Sequence, residues 1–162
     1  MGLKIGITGH QDIDISLLEW INKNICDELK KIDVDCGYSS LAIGADQIFA
    51  NILIQNKIPI NAIIPSHNYS ETFKKENLGD YLNILKKADK IIELNFNRPS
   101  EEAFYAAGKT IADFSDILFV IWDALPAEGL GGTGDVFKYM KSLSKKIIHF
   151  NIITKEIIYI NF

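Results

Sequence analysis

The sequence is poor in arginine and has no long apolar run. Arg98 is its only arginine, and 17 lysine and arginine residues stand against 21 aspartate and glutamate residues, which gives a formal net charge of −4. Proteins that bind duplex nucleic acid usually present a basic face, so the composition argues against a nucleic-acid partner. No stretch reaches the ~18 consecutive apolar residues that a membrane span needs, so we expect no membrane partner either.

Cysteine is also scarce. Cys26 and Cys36 are too few for a disulfide framework, and we interpret both as buried thiols. The N-terminus lacks the apolar segment and small-residue cleavage site of a signal peptide. These features predict a cytoplasmic protein, and the length of 162 residues suits a single domain spanning 1–162.

Short apolar segments alternate with segments of helical periodicity. Strands are predicted at Leu3–Thr8, 36–42, 58–65, 90–94, Asp116–Asp123 and 145–150. Helices are predicted at Ile15–Ile32, Asp46–Gln55, Glu101–Phe114 and Val136–Leu143, and Tyr69–Lys87 is predicted to be helical in pieces, interrupted near Gly79. This order predicts an α/β fold, with one doubly wound, mostly parallel Rossmann-like sheet and helices on both faces.

The C-terminal segment NIITKEIIYINF departs from this alternation. It is predicted to form a hairpin with the sixth strand, turning near Thr154–Glu156. Proteins usually cover an apolar edge strand. Two alternatives remain: a second copy of the chain covers this edge, or the segment packs onto its own domain. The first alternative predicts a homo-oligomer, most simply a dimer.

Three unusual loops follow predicted strands: ITGHQD (7–12), SSLAIGAD (39–46) and the glycine-rich AEGLGGTGD (127–135). Open parallel sheets bind ligands beyond the carboxyl ends of their strands, where the strand order reverses. Glycines let backbone N–H groups approach a ligand closely, and a following helix directs its N-terminal N–H groups to the same place. We therefore expect a phosphate-containing nucleotide here, although a plain surface turn is the alternative for the glycine loop. The expected ligand-binding residues are Thr8, Gly9, His10, Gly44, Ala45, Asp46, Asp123, Gly131, Gly132, Thr133 and Gly134.

Other binding motifs are not supported. AAGKT (106–110) ends like a P-loop, but it lies within a predicted helix and Ala103 stands where that motif requires glycine. No G-x-G-x-x-G motif follows the first strand. His10, His67 and His149 have no partner at metal-ligand spacing, so no metal site and no cofactor are predicted, and His149 is interpreted as structural.

Four carboxylates attract attention. Asp46 at a helix start is interpreted either as a helix cap or as an acceptor for ribose hydroxyls. Asp135 opens the last helix beside the glycine loop, where it would hold ribose or act as an acid or base. Asp123 ends the central strand, and Glu102 begins a helix on the same side.

Taken together, these residues resemble the SLOG superfamily, which includes the DprA DNA-processing proteins, YpsA-like proteins and LOG cytokinin-activating enzymes. The resemblance rests on GITGH at 6–10, SSLAIGAD at 39–46, WD at 122–123 and GGTGD at 131–135, in this order. It spans Leu3 to about Phe150 and implies a Rossmann-like fold that binds a nucleotide or nucleotide-derived ligand at these loops.

The resemblance leaves two main functions open, with a DprA-like DNA role third because the chain lacks a basic surface. The first is a sensor or carrier domain for a nucleotide, including ADP-ribose- or NAD-related ones. The second is a LOG-like N-glycosidase or deoxyribosyltransferase-like enzyme that acts on a nucleoside monophosphate through Asp135 or Glu102. LOG enzymes use an arginine before the central strand, where this chain offers only Lys109. Because lysine cannot make the bidentate contact of a guanidinium, the first function is favoured.

Overall fold

The computed structural model describes residues 2–126, 130 and 132–162. Its strands are β1 (Leu3–Gly9), β2 (Val34–Ser39), β3 (Ile60–Ile64), β4 (Lys90–Glu93), β5 (Ile117–Trp122), β6 (Lys146–Asn151) and β7 (Glu156–Ile160). They form one sheet in the order β4-β3-β2-β1-β5-β6-β7. The pairs from β4 to β6 are parallel and the β6–β7 hairpin is antiparallel. The predicted α/β fold, with its mostly parallel sheet and C-terminal hairpin, is confirmed.

Five α-helices within the described part of the chain cover the two faces of the sheet. They are α1 (Leu18–Lys30), α2 (Ala45–Gln55), α3 (Lys75–Lys87), α4 (Glu101–Phe114) and α5 (Thr133–Ser142). Helices α1, α2 and α3 bury Ile21, Phe49 and Tyr81 in the core on one face. Helices α4 and α5 bury Ala107 and Val136 in the core on the other face. None of the described helices is long and apolar enough to cross a membrane.

The order of strands explains this division of the helices. The chain steps outward from β1 to β4, returns through α4 to β5 on the other side of β1, and then continues to β6. Since crossovers between parallel strands are right-handed, reversing the direction of travel moves the helices to the opposite face. The reversal lies between β1 and β5, which pair directly.

Three of the differences from the predicted boundaries lie near the loops. Strand β2 ends at Ser39 instead of residue 42, and Leu41 just beyond it has a φ of 57°. Helix α5 begins at Thr133, three residues earlier than expected. The interruption predicted near Gly79 is wrong: α3 continues through Gly79, and the break falls before Lys75, where a short 3-10 helix ends.

The central strand β5 is buried along its whole length. Its Phe119 ring contacts Phe49 on α2 and Phe150 on β6 edge-on, at centroid distances of 5.9 and 5.2 Å. A strand covered on both faces has apolar side chains at every position, which explains its unbroken apolar sequence. This rigid centre holds the loops at its carboxyl end.

Strand β7 packs onto its own domain. The Tyr159 hydroxyl donates a hydrogen bond to the buried carboxylate of Glu28 on α1, and Lys31 Nζ lies 3.1 Å from the same carboxylate. This contact supports the intramolecular alternative for the tail. The other side of β7 is an edge of the sheet, so a dimer stays a prediction.

Candidate functional site

The first two predicted loops and the described part of the third, residues 132–135, meet at one edge of the sheet. They border a cleft of about 750 Å³ beyond the carboxyl ends of β1, β2, β3 and β5, a size typical of small-molecule sites. Of the residues expected to bind ligand, the cleft is lined by Thr8, Gly9, His10, Asp46, Asp123, Gly132 and Thr133. Gly44, Ala45 and Gly134 are not among its lining residues, and Gly131 lies outside the described residues.

The first loop lies so close to its neighbours that Gly9 has no room for a side chain. A Cβ there would come within 2.5 Å of the Ala45 Cβ and 2.7 Å of the Ile121 carbonyl oxygen. Glycine therefore lets β1 end directly against the start of α2 and the end of β5. Ala45 has the same packing role from the other side of this contact.

The second loop turns at Gly44, whose φ is 83° and ψ −130°. A Cβ there would lie 2.4 Å from the carbonyl oxygens of both His10 and Gln11. The Ala45 N–H then donates to the His10 carbonyl oxygen at 3.0 Å. The structure thus gives Gly44 and Ala45 the role of joining the first two loops to each other.

His10 joins the first loop to the loop after β5. The backbone N–H of Asp123 donates to His10 Nε2 at 3.3 Å, and Asp123 Oδ1 lies 3.3 Å from the same nitrogen. The backbone contact is the hydrogen bond, because an N–H can only donate and Nε2 is its acceptor here. Asp123 Oδ1 accepts the Leu125 N–H at 2.9 Å in an Asx turn. A ring that accepts at Nε2 carries its proton on Nδ1.

Gly132 and Thr133, at the described end of the glycine loop, bring the N-terminus of α5 to the cleft. Gly132 is the N-cap residue, and it makes no side-chain cap hydrogen bond. The N–H groups of the first helical turn, including that of Thr133, therefore have no capping side chain from this residue. Gly134 is buried, and a Cβ there would meet the Trp122 ring at 3.1 Å.

Asp46 is the buried carboxyl group of the cleft. Its Oδ2 accepts the Ala42 N–H at 3.3 Å, and only 9% of the residue is exposed. Burial raises the pKa of Asp46 to about 7, although the Ala42 hydrogen bond opposes this shift. The N-cap of α2 is Gly44, so the interpretation of Asp46 as a helix cap is wrong.

The two proposed catalytic carboxylates occupy other positions. Glu102 lies in the first turn of α4 and is exposed, and Asp135 lies half-buried in the first turn of α5. Neither is among the described residues that line the cleft, whose carboxylates are Asp46 and Asp123.

The side of the cleft between the segment after β3 and the start of α4 is aromatic, and no pattern in the sequence indicated it. Tyr69, Phe73 and Phe104 line it, and the Tyr69 ring packs edge-on against the other two at 5.3 and 6.2 Å. Lys74 is the lysine among the lining residues. Lys109, the cation considered from the sequence, instead lies 4.6 Å from the Tyr105 ring centroid and does not line the described cleft.

His149 has the structural role that was predicted for it. It is buried on β6, and its Nε2 lies 3.1 Å from the Trp122 carbonyl oxygen. Its ring also packs against those of Trp122 and Phe137. No cluster of three or more potential metal ligands occurs among the described residues.

Comparison with known proteins finds similarity in structure only. No protein-family profile and no curated protein matches the chain. The fold matches DNA processing protein A (DprA) from Streptococcus pneumoniae with a TM-score of 0.66 and 17% identity, over 91% of this chain and 50% of that one. It matches DprA from Helicobacter pylori with a TM-score of 0.66 and 14% identity, over 91% of this chain and 65% of that one. It also matches TM1055 with a TM-score of 0.58 and 12% identity, over 90% and 72%.

These similarities have two consequences. The Rossmann-like fold implied by the resemblance to the SLOG superfamily is confirmed, since the chain has the fold of two DprA proteins, although it spans only about half the length of the first. The Helicobacter pylori structure concerns a single-stranded DNA binding mode of that protein. The argument from composition against a nucleic-acid partner is therefore wrong, because it considered duplex recognition and this fold also occurs in a protein that binds single strands.

Proposed function

We propose that the chain binds a nucleotide-type ligand, related to ADP-ribose or NAD, in the cleft at the β1–β5 switch point, and acts as a sensor or carrier domain. The observation that carries the proposal is the composition of this one cleft. It combines a helix N-terminus, small polar groups, a buried carboxyl group and an aromatic side. A nucleotide has a matching phosphate, ribose and base.

The phosphate belongs at the α5 side. Gly132 and Thr133 bring backbone N–H groups and a hydroxyl to the cleft, and the helix dipole there favours an anion. Thr8 and the first loop lie opposite, at the end of the neighbouring strand β1. The ribose belongs between the two sides, where Asp46 is the carboxyl group that can accept its hydroxyls.

The width of the sheet favours a ligand longer than a mononucleotide. Strands β2 and β1 separate β3 from β5, so at a spacing of about 4.8 Å the two strand ends lie roughly 14 Å apart. Six bonds join the phosphorus of a nucleoside monophosphate to its base nitrogen, which amounts to about 7 Å at the reach per bond of an extended chain. A diphosphate-linked nucleotide with its base at Phe73, beyond β3, reaches the N-terminus of α5. Phe104 lies nearer to that terminus, because α4 begins beside Leu130.

A single-stranded nucleic acid is a second candidate. Aromatic rings beside a cation are the features that bind unpaired bases, and Phe73, Phe104 and Lys74 supply them here. The similarity to a protein that binds single-stranded DNA adds to this argument. The net charge of −4 limits a bound single strand to a short contact with the protein, because each phosphate needs a positive group.

Calorimetry with ADP-ribose, NAD, AMP and a single-stranded d(A)8 oligonucleotide tests both candidates. We expect ADP-ribose or NAD to bind more tightly than AMP and to compete with d(A)8 for the same cleft. A ligand present at ~100 times its Kd should also stabilise the protein by about 2.7 kcal/mol. The proposal is refuted if none of the nucleotides binds at millimolar concentration while the protein is folded.

A further inference from the structure

We propose that the aromatic side of the cleft is a nucleobase subsite, in which Phe73 and Phe104 stack on the base and Asn77 recognises adenine at its edge. This inference rests on the proposed function and specifies which part of the ligand occupies the β3 end. The residues belong to three different segments: the stretch before α3, helix α3 itself and helix α4.

The aromatic rings divide into a buried pair and a pair that remains accessible. Tyr69 and Tyr81 are 6% and 2% exposed, and they form the support. Phe73 stacks on Tyr81 at a centroid distance of 4.3 Å and an interplanar angle of 17°, yet it is only half-buried. Phe104 is 36% exposed although it contacts Tyr69.

This arrangement differs from an ordinary core cluster, in which all the rings would be buried. Two rings are held in place by buried neighbours and still line an open cleft. Because every base has a π-face, such rings bind bases by stacking. Side chains locked by their own packing partners lose little rotamer freedom when a ligand binds.

Asn77 supplies selectivity at this end of the cleft. It lines the cleft from the first turn of α3 and is half-buried, and no hydrogen bond of its side chain occurs within the described part of the chain. An asparagine amide offers one donor and one acceptor face, which complement N7 and N6–H₂ of adenine. Lys74, one turn earlier, places a positive charge beside the subsite for an anionic part of the same ligand.

The test compares ligands with and without a base. Calorimetry measures ADP-ribose and ribose 5-phosphate on the wild type and on the double variant Phe73→Leu/Phe104→Leu, which keeps apolar side chains and removes both ring faces. We expect the affinity for ADP-ribose to fall at least tenfold, the scale of one stacked base, and that for ribose 5-phosphate to change less than twofold. The matched control is Phe114→Leu, on the same helix and 43% exposed, which contacts Tyr38 and does not line the cleft.

The selectivity is tested with Asn77→Ala. The wild type should bind ADP more tightly than GDP, and in the variant the ratio of these two affinities should fall below threefold. The same variants titrated with d(A)8 show whether the subsite takes the base of a free nucleotide or of a single strand. Loss of affinity for both ADP-ribose and ribose 5-phosphate in the double variant would show that the rings are structural and would overturn the subsite. Equal affinities of the wild type for these two ligands would also overturn it and leave the proposed function standing. Failure of every nucleotide to bind the wild type would overturn both.

Discussion

The backbone N–H of Asp123 donates a hydrogen bond to Nε2 of His10 at 3.3 Å, and so fastens the end of β5 to the end of β1. A similar contact connects β1 to the second loop, where the Ala45 N–H meets the His10 carbonyl oxygen at 3.0 Å. His10 therefore contacts both of its neighbouring loops. A ligand that enters this cleft meets loops whose positions are already fixed, which lowers the entropic cost of binding.

The first prediction concerns the glycine that makes this arrangement possible. Gly44→Ala should destabilise the protein by at least about 3 kcal/mol, because the positive φ is strained for alanine and the new Cβ would meet two backbone oxygens at 2.4 Å. Gly79→Ala is the control: it lies in the middle of α3, its Cβ meets nothing within 4 Å, and it should stabilise by about 0.5–1 kcal/mol. Urea unfolding measures both changes. Equal effects of the two substitutions would contradict the role of Gly44.

The second prediction concerns the phosphate contacts at α5. Thr133→Val removes a hydroxyl donor and Gly132→Val places side-chain atoms where backbone must approach the ligand. Each should weaken nucleotide binding while the fold survives, and the loss of one hydrogen bond to a charged group costs roughly 1.5–3 kcal/mol. Thr110→Val is a matched control, because its hydroxyl donates to the Ala106 carbonyl oxygen within α4. Unchanged affinity in both folded variants would mean that the glycine loop is only a turn.

The sequence predicted much of the lining of this cleft for physical reasons that are local. Glycines, helix starts and strand ends have recognisable chemistry, so the amino-acid pattern alone places Gly9, Gly132 and Thr133 at the β1–β5 edge. The pattern did not show that Gly44 serves packing, since a positive φ and a ligand contact both favour glycine.

The aromatic side could not be predicted in the same way. Aromatic residues near a helix usually indicate core packing, and the sequence does not tell which rings the fold buries. Tyr69 and Tyr81 become the support and leave Phe73 and Phe104 lining the cleft. Lys74 belongs to one of several Lys-Lys pairs in the sequence, and nothing in the pattern distinguishes it from the others. In the structure it lies between the 3-10 helix and α3, where it lines the cleft.

The third prediction is a pH dependence caused by Asp46. Burial raises its pKa to about 7 in the folded protein, above the value of ~3.9 expected in the unfolded chain. The folded state therefore keeps the proton longer, and stability contributed by this group is present below about pH 4 and is lost as the pH rises through 7. Three pKa units correspond to roughly 4 kcal/mol.

The substitution Asp46→Asn should remove the loss of stability that accompanies ionisation of Asp46. We expect the variant to be more stable than the wild type at pH 8 by up to about 4 kcal/mol, and this difference to shrink toward pH 4. Urea unfolding at several pH values measures it. Asp80→Asn, on the exposed side of α3, controls for the loss of one negative charge. Parallel stability profiles of the Asp46→Asn variant and the wild type would contradict the prediction.

The fourth prediction concerns the outer edge of β7. If two copies pair there, the sheet continues across a two-fold axis, which is a common way to cover an edge strand. Light scattering should then report a dimer, and Ile158→Pro should dissociate it, since proline removes a backbone donor. Ile153→Pro, in the exposed turn before β7, is the control. A wild-type monomer at high protein concentration would remove this prediction.

The last prediction separates a binding domain from an enzyme, through Asp135. A glycosidase that used this carboxylate to stabilise the cationic ribose or to activate water should lose at least about 10²-fold in turnover in Asp135→Asn, the scale of acid–base catalysis. A sensor has no turnover to lose. We expect the second pattern, because neither Asp135 nor Glu102 lines the cleft and the chain offers no arginine on α4. The measurement is the release of free base from nucleoside monophosphates, detected by mass spectrometry. Glu102→Gln is tested beside Asp135→Asn. Base release by the wild type that disappears in either variant would show that the domain is a hydrolase.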